Sequence, residues 1–313
     1  MSERIIIDTD PGVDDALAIL MALGSPDLEV EALTTVFGNV DIVNTTRNAS
    51  IILEVAGNSR IPVYEGAAQP LTRDGGAFAG YVHGKSGLGN TVFDDPRGLP
   101  ESEQAAAFLA RRLVEPGAPS TLVTLGPLTN VAQALKLNPE IAGAVKRVVC
   151  MGGALWVPGN ASVVAESNIL KDPEAADEVF GSGLPIVLVP LDVTMRTLLL
   201  RSRLEETVER SGKLGEFIRA ITPPYFEWYQ RRYGLEGFAL HDPCTIAYLI
   251  NPTLFQSQSM AMAVETGGVY CTGRVVPDSL GRLGRAANVQ ACLDVDVEGL
   301  VECVLENLAH AGR

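Results

Sequence analysis

Four carboxylates, Asp8, Asp10, Asp14 and Asp15, stand within eight residues directly behind the hydrophobic triplet Ile5-Ile6-Ile7. The β-branched run, the turn at Pro11-Gly12 and the apolar-periodic segment from Asp14 to Leu23 read as strand, turn and helix, with Gly24 marking the helix end. In an open α/β sheet the carboxyl ends of the strands form the ligand crevice, so this unit places the acidic cluster where a ligand binds. Carboxylates packed this closely repel, raise one another's pKa, or take up a cation. Oxygen-only donors of high charge suit a hard ion, Ca²⁺ or Mg²⁺. Capping of the helix by Asp14 and Asp15 is the plain alternative, and it accounts for one or two of the four. An EF-hand is excluded because Pro11 breaks the loop and no Glu stands at its twelfth position. A phosphatase with paired Asp after its first strand expects Thr or Val, not Asp-Asp, near the third following position.

The same alternation continues along the chain. Val30 to Thr35 reads as a strand ending in the turn Phe37-Gly38-Asn39, with a helix from about Asn44 to Ala56. Thr121 to Leu125 is a third strand, Gly126-Pro127 its turn and Thr129 to Leu135 its helix. Val145 to Met151 meets Gly152-Gly153, and Ile186 to Val189 follows a helix opening at Asp172-Pro173. Beyond Leu200 the pattern turns helical, at Ser202 to Ser211, Leu214 to Tyr229 and Asp242 to Leu249. Strand-like segments near Met260 to Tyr270 and Val289 to Val295 precede a last helix. The Gly-rich stretch from Gly75 to Gly98 has little periodicity and reads as a long functional loop. The expected architecture is α/β and Rossmann-like: a mostly parallel central sheet with helices on both faces and a helical C-terminal part covering the site. No linker or repeat divides residues 1–313, so a single domain is expected.

A formal net charge of −14 argues against nucleic acid and anionic membrane surfaces as partners. The five cysteines, Cys150, Cys244, Cys271, Cys292 and Cys303, are odd in number and widely spaced, which suits small buried hydrophobes in a reducing compartment. The charged N-terminus carries no signal-peptide pattern, and no run reaches the length of a membrane span. A soluble, cytoplasmic protein is the expectation.

On these residues the sequence resembles the inosine-uridine-preferring nucleoside hydrolase family. The segment Asp8-Thr9-Asp10-Pro11-Gly12-Val13-Asp14-Asp15 matches its D-T-D-P-G-x-D-D opening in full. Phe37-Gly38-Asn39-Val40, His83-Gly84 and Gly126-Pro127-Leu128-Thr129-Asn130 follow in family order. So do Met151-Gly152-Gly153, Asn160 with Glu166 and Asn168, Asp172 to Ala176, and His241-Asp242-Pro243. The resemblance implies hydrolysis of ribonucleosides to ribose and free base, with Ca²⁺ held by Asp10, Asp15, Asp242 and the Leu125 carbonyl. It implies Asp10 as general base, and Asp14, Asn39, Met151, Asn160, Glu166 and Asn168 around the ribose. His241 would face the leaving base as general acid, with His83, Tyr225 and Tyr229 on that side. It also implies a homodimer or homotetramer. Trp156 and Trp228 do not fall where the family's purine-specific branch keeps its tryptophans, which aligns the chain with the branch bearing His241.

Each of these residues has a plainer reading. Asp242 and Pro243 suit a helix N-cap and first turn, Tyr225 and Tyr229 share a helical face as core residues do, and loop histidines are often merely exposed. Two other functions stay open: a catalytically silent calcium-dependent nucleoside- or ribose-binding protein, and an Asp-dependent phosphatase. No Walker-type P-loop supports the second.

Overall fold

The structure is a computed structural model that describes residues 2–74, 78–117 and 121–311. Its first half runs β1 (Glu3–Thr9), α1 (Val13–Gly24), β2 (Leu28–Thr35), α2 (Ile42–Val55), β3 (Val63–Tyr64), α3 (Gly80–His83) and α4 (Ala105–Arg112). Next come β4 (Thr121–Thr124), α5 (Thr129–Leu137), α6 (Ile141–Ala144), β5 (Arg147–Met151), α7 (Ser167–Lys171), α8 (Pro173–Gly181) and β6 (Ile186–Val189). The second half holds α9 (Leu191–Thr194), β7 (Leu198–Leu200), α10 (Arg201–Val208), α11 (Gly212–Ile221), α12 (Pro223–Tyr233), β8 (Gly237–Ala239) and α13 (Pro243–Ile250). It ends with β9 (Phe255–Val264), β10 (Val275–Asp278), β11 (Val289–Val295) and α14 (Val297–Ala311).

Nine strands form one sheet in the order β10-β9-β11-β6-β5-β4-β1-β2-β3. From β11 to β3 every pairing is parallel; β9 and β10 add an antiparallel end. The chain steps from β1 outward to β2 and β3, then returns to place β4 on the other side of β1. Connections therefore diverge between β1 and β4, which opens a crevice at their carboxyl ends. The two edges are short: β3 has two residues, with the Glu101 N–H donating to the Val63 carbonyl beyond it, and four-residue β10 contains Pro277.

Strand alternation explains the two layers of helices. Ile5, Ile7, Val123, Val149 and Val187 point to a core shared with α1, α2 and α10 to α14. Their neighbours Ile6, Leu122, Val148, Cys150 and Leu188 point to the opposite core, beneath α4, α5 and α8. The helix α1 is buried at every residue from Val13 to Ala22, enclosed by the sheet, α13 and α14, which fits a sequence that is apolar all round from Ala16 to Leu23.

Several elements differ from the sequence reading. The helix expected from Leu214 to Tyr229 is two, because Pro223 lacks the N–H to continue α11 and instead opens α12. The strand expected to reach Tyr270 ends at Val264, and β3, β7, β8 and β10 are too short to leave a periodic signal. Of the Gly75 to Gly98 stretch, Gly75, Gly76 and Ala77 lie outside the described residues, and the rest contains α3. Cys150, Cys244 and Cys292 are buried as expected; Cys271 is exposed. Among the described residues no helix is long and apolar enough to cross a membrane.

One polar side chain ties the strand ends together. Asn130, fully buried at the start of α5, donates to Asp8 Oδ1 (2.7 Å) and the Thr35 carbonyl (2.8 Å) and accepts from the Ala67 N–H (2.9 Å). Asn130→Ala strands these buried groups at a cost of about 1–3 kcal/mol each, offset in part by any water that enters. Chemical denaturation is expected to show a loss of about 2–4 kcal/mol. A loss below about 0.5 kcal/mol would mean the three anchors hold without it.

Candidate active site

The turn after β1 brings its carboxylates together by backbone geometry. Asp15, on the first turn of α1, is fully hydrogen-bonded: Thr9 Oγ1 donates to Oδ1 (2.5 Å), and the Gly12 N–H (2.9 Å) and Asn39 Nδ2 (3.1 Å) donate to Oδ2. Asp10 Oδ2 accepts from the Asn39 N–H (2.7 Å), whereas its Oδ1 is buried with no hydrogen-bond partner. Asp14 Oδ2 accepts from the Tyr225 hydroxyl (3.1 Å), and its Oδ1 has no hydrogen-bond partner either. Close approach requires the glycines nearby. A Cβ at Gly38 would overlap Asp10 Oδ2, and one at Gly126 would lie 2.6 Å from Asp10 Oδ1.

Asp242 arrives from the other end of the chain. It precedes α13 in the N-cap position, yet its side chain makes no capping hydrogen bond. Instead, one oxygen each of Asp14, Asp15 and Asp242 lies within 4.8 Å of the others. Burial, then mutual repulsion, destabilises this set in its ionised form. Burial pushes Asp14 up to about 6 and, with the Asp14 charge, raises Asp15. Burial and the Asp15 charge hold Asp10 well above the carboxylate range, and burial and then Asp14 do the same to Asp242. Asp8, which accepts from Thr34 and Asn130, is pushed by burial up to about 7. Acidic oxygens converging in this way, two of them without a hydrogen-bond partner and Asp10 relieved in part by the charge of Lys171, are the donor set of a hard metal ion, and these residues could hold one.

Above the cluster lies a cleft with two unlike walls. Asp14, Asn39, Met151, Asn160, Glu166, Asn168, Asp242 and Leu125 form the polar wall. Asn168 Nδ2 donates to the carbonyls of Leu125 (2.6 Å) and Met151 (3.2 Å). Asn160 Oδ1 accepts from the Ser167 N–H (3.0 Å). Glu166 caps α7 and accepts from the Gly153 N–H (3.0 Å), and burial pushes it up to about 6. Tyr81, His83, Tyr225, Trp228, Tyr229 and His241 form the aromatic wall. No Lys or Arg lines the cleft among the described residues.

The aromatic wall is assembled from three elements. From α12 come Tyr225 and Tyr229, each 1% exposed, their rings edge-on at 5.2 Å. His83, at the end of α3, is 6% exposed; its Nδ1 accepts from the Val13 N–H (3.1 Å) and its ring lies 5.2 Å from Tyr225. His241 follows β8, which pairs with β7 in a small antiparallel ribbon. Its Nε2 is 2.8 Å from the Tyr229 hydroxyl and its Nδ1 is 2.8 Å from Thr194 Oγ1. Burial pushes His83 down to about 4 and His241 down to about 3, so both rings rest neutral.

All fourteen residues expected from the sequence thus converge, with differences of detail. Asp10 and Asp15 lie behind the cleft wall rather than on it. The Asn39 amide is engaged with the Asp10 carbonyl and Asp15, so this side chain orients carboxylates more than it faces the cleft. Trp228 lines the cleft, while Trp156 is 56% exposed. Thr194 and Tyr81 carried no signal, because a lone hydroxyl or a loop tyrosine has no local pattern to betray its partner.

Comparison with known proteins agrees with this geometry. Residues 5–302 match the model of the family described as inosine-uridine preferring nucleoside hydrolase. Uridine nucleosidase 1 of Arabidopsis thaliana is 39% identical, over 98% of this chain and 93% of that protein. The pyrimidine-specific ribonucleoside hydrolase RihA of Salmonella typhi is 39% identical over 99% of both. The solved structure of a purine-preferring ribonucleoside hydrolase from Gardnerella vaginalis superposes with a TM-score of 0.94 at 33% identity, covering 99% of each chain. The chain belongs to the inosine-uridine preferring nucleoside hydrolase family.

Proposed function

We propose that this chain, working as one domain, splits the N-glycosidic bond of ribonucleosides in a Ca²⁺-dependent reaction, with Asp10 as general base and His241 on the leaving-group side. The observation that carries this is the division of the cleft, which offers acidic and amide groups to a polyhydroxylated sugar and aromatic rings to a planar base. Asp10, Asp15, Asp242 and the Leu125 carbonyl would hold the ion; Asp15 and Asp242 lie together with Asp14, Asp10 keeps an orphaned oxygen, and oxygen-only donors of this charge suit Ca²⁺. When bound, Ca²⁺ supplies the positive charge that keeps these carboxylates ionised and orients water and the ribose diol.

The protein's own groups then divide the reaction. Asp10 Oδ1, free of hydrogen bonds, takes a proton from the attacking water, whose oxygen bonds to C1′ of the ribose. The C1′–N bond breaks, its electron pair leaves with the base, and a proton from the His241 side neutralises the base nitrogen. Asp14, Asn160, Glu166 and Asn168 hold the sugar hydroxyls, converting binding energy into orientation of the reacting carbon. Cytoplasmic location and assembly as a homodimer or homotetramer belong to the same proposal. A silent binding protein would keep the cleft without turnover. Phosphoryl transfer is disfavoured by a cleft that no Lys or Arg lines among the described residues.

The leaving-group assignment is tested by substrate choice. Purine and uracil anions leave poorly, whereas p-nitrophenolate departs unaided. His241→Ala is expected to lower kcat on inosine and uridine by ~10²–10⁴ and to spare p-nitrophenyl riboside. Asp10→Ala is expected to cripple all three, since each needs the activated water. Equal losses on every substrate for His241→Ala, tracking a fall in Tm, would make His241 structural.

The sugar wall gives a second test. A 2′-deoxynucleoside leaves buried polar groups unpaired, so kcat/KM for deoxyuridine should fall at least ~10³-fold below that for uridine. Comparable values would remove the diol from the site.

The metal has a thermodynamic signature. A carboxyl whose folded pKa is raised binds a proton more tightly folded than unfolded, so its contribution is favourable at low pH and lost as pH climbs through the folded value. Asp14 at about 6 and Asp8 at about 7 set the window, from the ordinary 3.8 upward. Chelated protein is expected to lose thermal stability as pH rises beyond about 6.5, above which the neutral His83 and His241 no longer offset the carboxylates. Ca²⁺ should raise Tm more at pH 8 than at pH 5, and elemental analysis should find calcium and no zinc. A Tm gain from Ca²⁺ that does not grow with pH would argue that these carboxylates do not hold it.

A further inference from the structure

Asn48 has no part in the chemistry described so far, yet it is fully buried in α2. Its Nδ2 donates to the Pro11 carbonyl (2.9 Å) and to the Ser86 carbonyl (2.7 Å). Carbonyl oxygens only accept, so the amide nitrogen is the end that faces them, and both of its hydrogens are used. The Asn48 Oδ1 is buried with no hydrogen-bond partner among the described residues. An unpaired buried acceptor is costly, and an apolar side chain at this place would avoid that cost. What the carboxamide contributes is its two donors.

The two carbonyls belong to different parts of the site. Pro11 lies in the acidic turn, between Asp10 and Asp14. Ser86 lies in the turn that follows α3, the helix whose last residue is His83. That turn doubles back: the Gly87 N–H donates to the Gly84 carbonyl (3.1 Å) and the Gly89 N–H to the His83 carbonyl (2.8 Å). Gly87 is required at its centre. Its φ is 92°, and a Cβ there would lie 2.6 Å from Asn48 Nδ2 and 3.0 Å from the Pro11 carbonyl. At its other end α3 is tied to the site as well, where the Ala79 N–H donates to the Asn39 carbonyl (2.9 Å). Held between these two ties, His83 takes the Val13 N–H on its Nδ1 (3.1 Å).

We propose that Asn48 is a positioning residue: by bridging Pro11 and Ser86 it fixes the turn after α3 against the acidic turn, and so sets where His83 stands in the cleft. One side chain from a third element thereby keeps part of the base wall in register with the acidic floor. Without the bridge the turn keeps its own two hydrogen bonds but loses its hold on Pro11, and His83 moves off the Val13 N–H. This inference rests on the reading above that places His83 on the base side of the cleft.

Asn48→Ala removes both donors. Gly87→Ala pries the turn away from its own side and leaves α2 untouched, so it carries the test even if Asn48→Ala fails to fold. Each is expected to lower kcat/KM on uridine and inosine about 10- to 100-fold, the scale of a group misplaced by about 1 Å. In a His83→Ala background each should cost less than about twofold more, because the group it displaces is already gone. Hydrogen exchange on peptides spanning residues 84–92 should speed up at least about tenfold in both variants and stay unchanged along β1, β4 and β5. The proposal is overturned by losses as large in the His83→Ala background as in the wild type, by exchange that rises across the sheet as well, or by unchanged nucleoside turnover in both variants. If His83→Ala itself leaves nucleoside turnover unchanged, the base-side reading of His83 falls, and exchange over residues 84–92 still decides whether Asn48 holds the turn.

Discussion

Burying several carboxylates together is the constraint around which the rest of this molecule is arranged. Asp8, Asp10, Asp14, Asp15 and Asp242 are each at most 5% exposed. Desolvation opposes the charge of each, and repulsion within the Asp10, Asp14, Asp15 and Asp242 set adds to it. The fold meets that cost with donors placed by backbone: the Gly12 and Asn39 N–H groups, the Thr9 and Thr34 hydroxyls, and the Asn39 and Asn130 amides. What remains unmatched, Asp10 Oδ1 and Asp14 Oδ1, points to the place where a cation and a sugar would complete the set.

The sheet and the helical second half divide the work. Strand ends β1, β4 and β5 supply the acidic floor and sugar wall at the point where the topology reverses. The base wall comes from α3, α12 and the segment after β8, elements that hang from the sheet by packing and by the β7–β8 ribbon. On the function proposed above, sugar recognition would rest on the strand ends of the sheet. Base recognition would rest on side chains that can differ without disturbing the sheet, and relatives are named for pyrimidines and for purines.

How much of this was legible in the sequence follows from the range of each interaction. The acidic turn was readable because strand, turn and carboxylates are contiguous, and the parallel sheet because its strands are continuous apolar runs. The Pro223 break was missed because the apolar spacing of Leu214 to Tyr229 runs across it, although the proline itself was visible. Asp242 matched both a helix cap and a metal ligand, and only the absence of a capping hydrogen bond separates the two. Thr194 and Trp228 could not be found, since their meaning depends on contacts made across 47 residues in one case and on a cleft wall in the other.

The two sheet margins bear on how copies of this chain can meet. An open strand edge is a row of free N–H and C=O groups, a template for adding another chain's strand and then another's. Here one margin is two residues long and already bridged by Glu101, and the other is four residues interrupted by an imino acid that has no proton to share. A nine-stranded sheet of this kind is closed to growth at both ends. Contact between copies by strand addition is therefore disfavoured, which leaves helices and loops as the surfaces through which one copy could meet another.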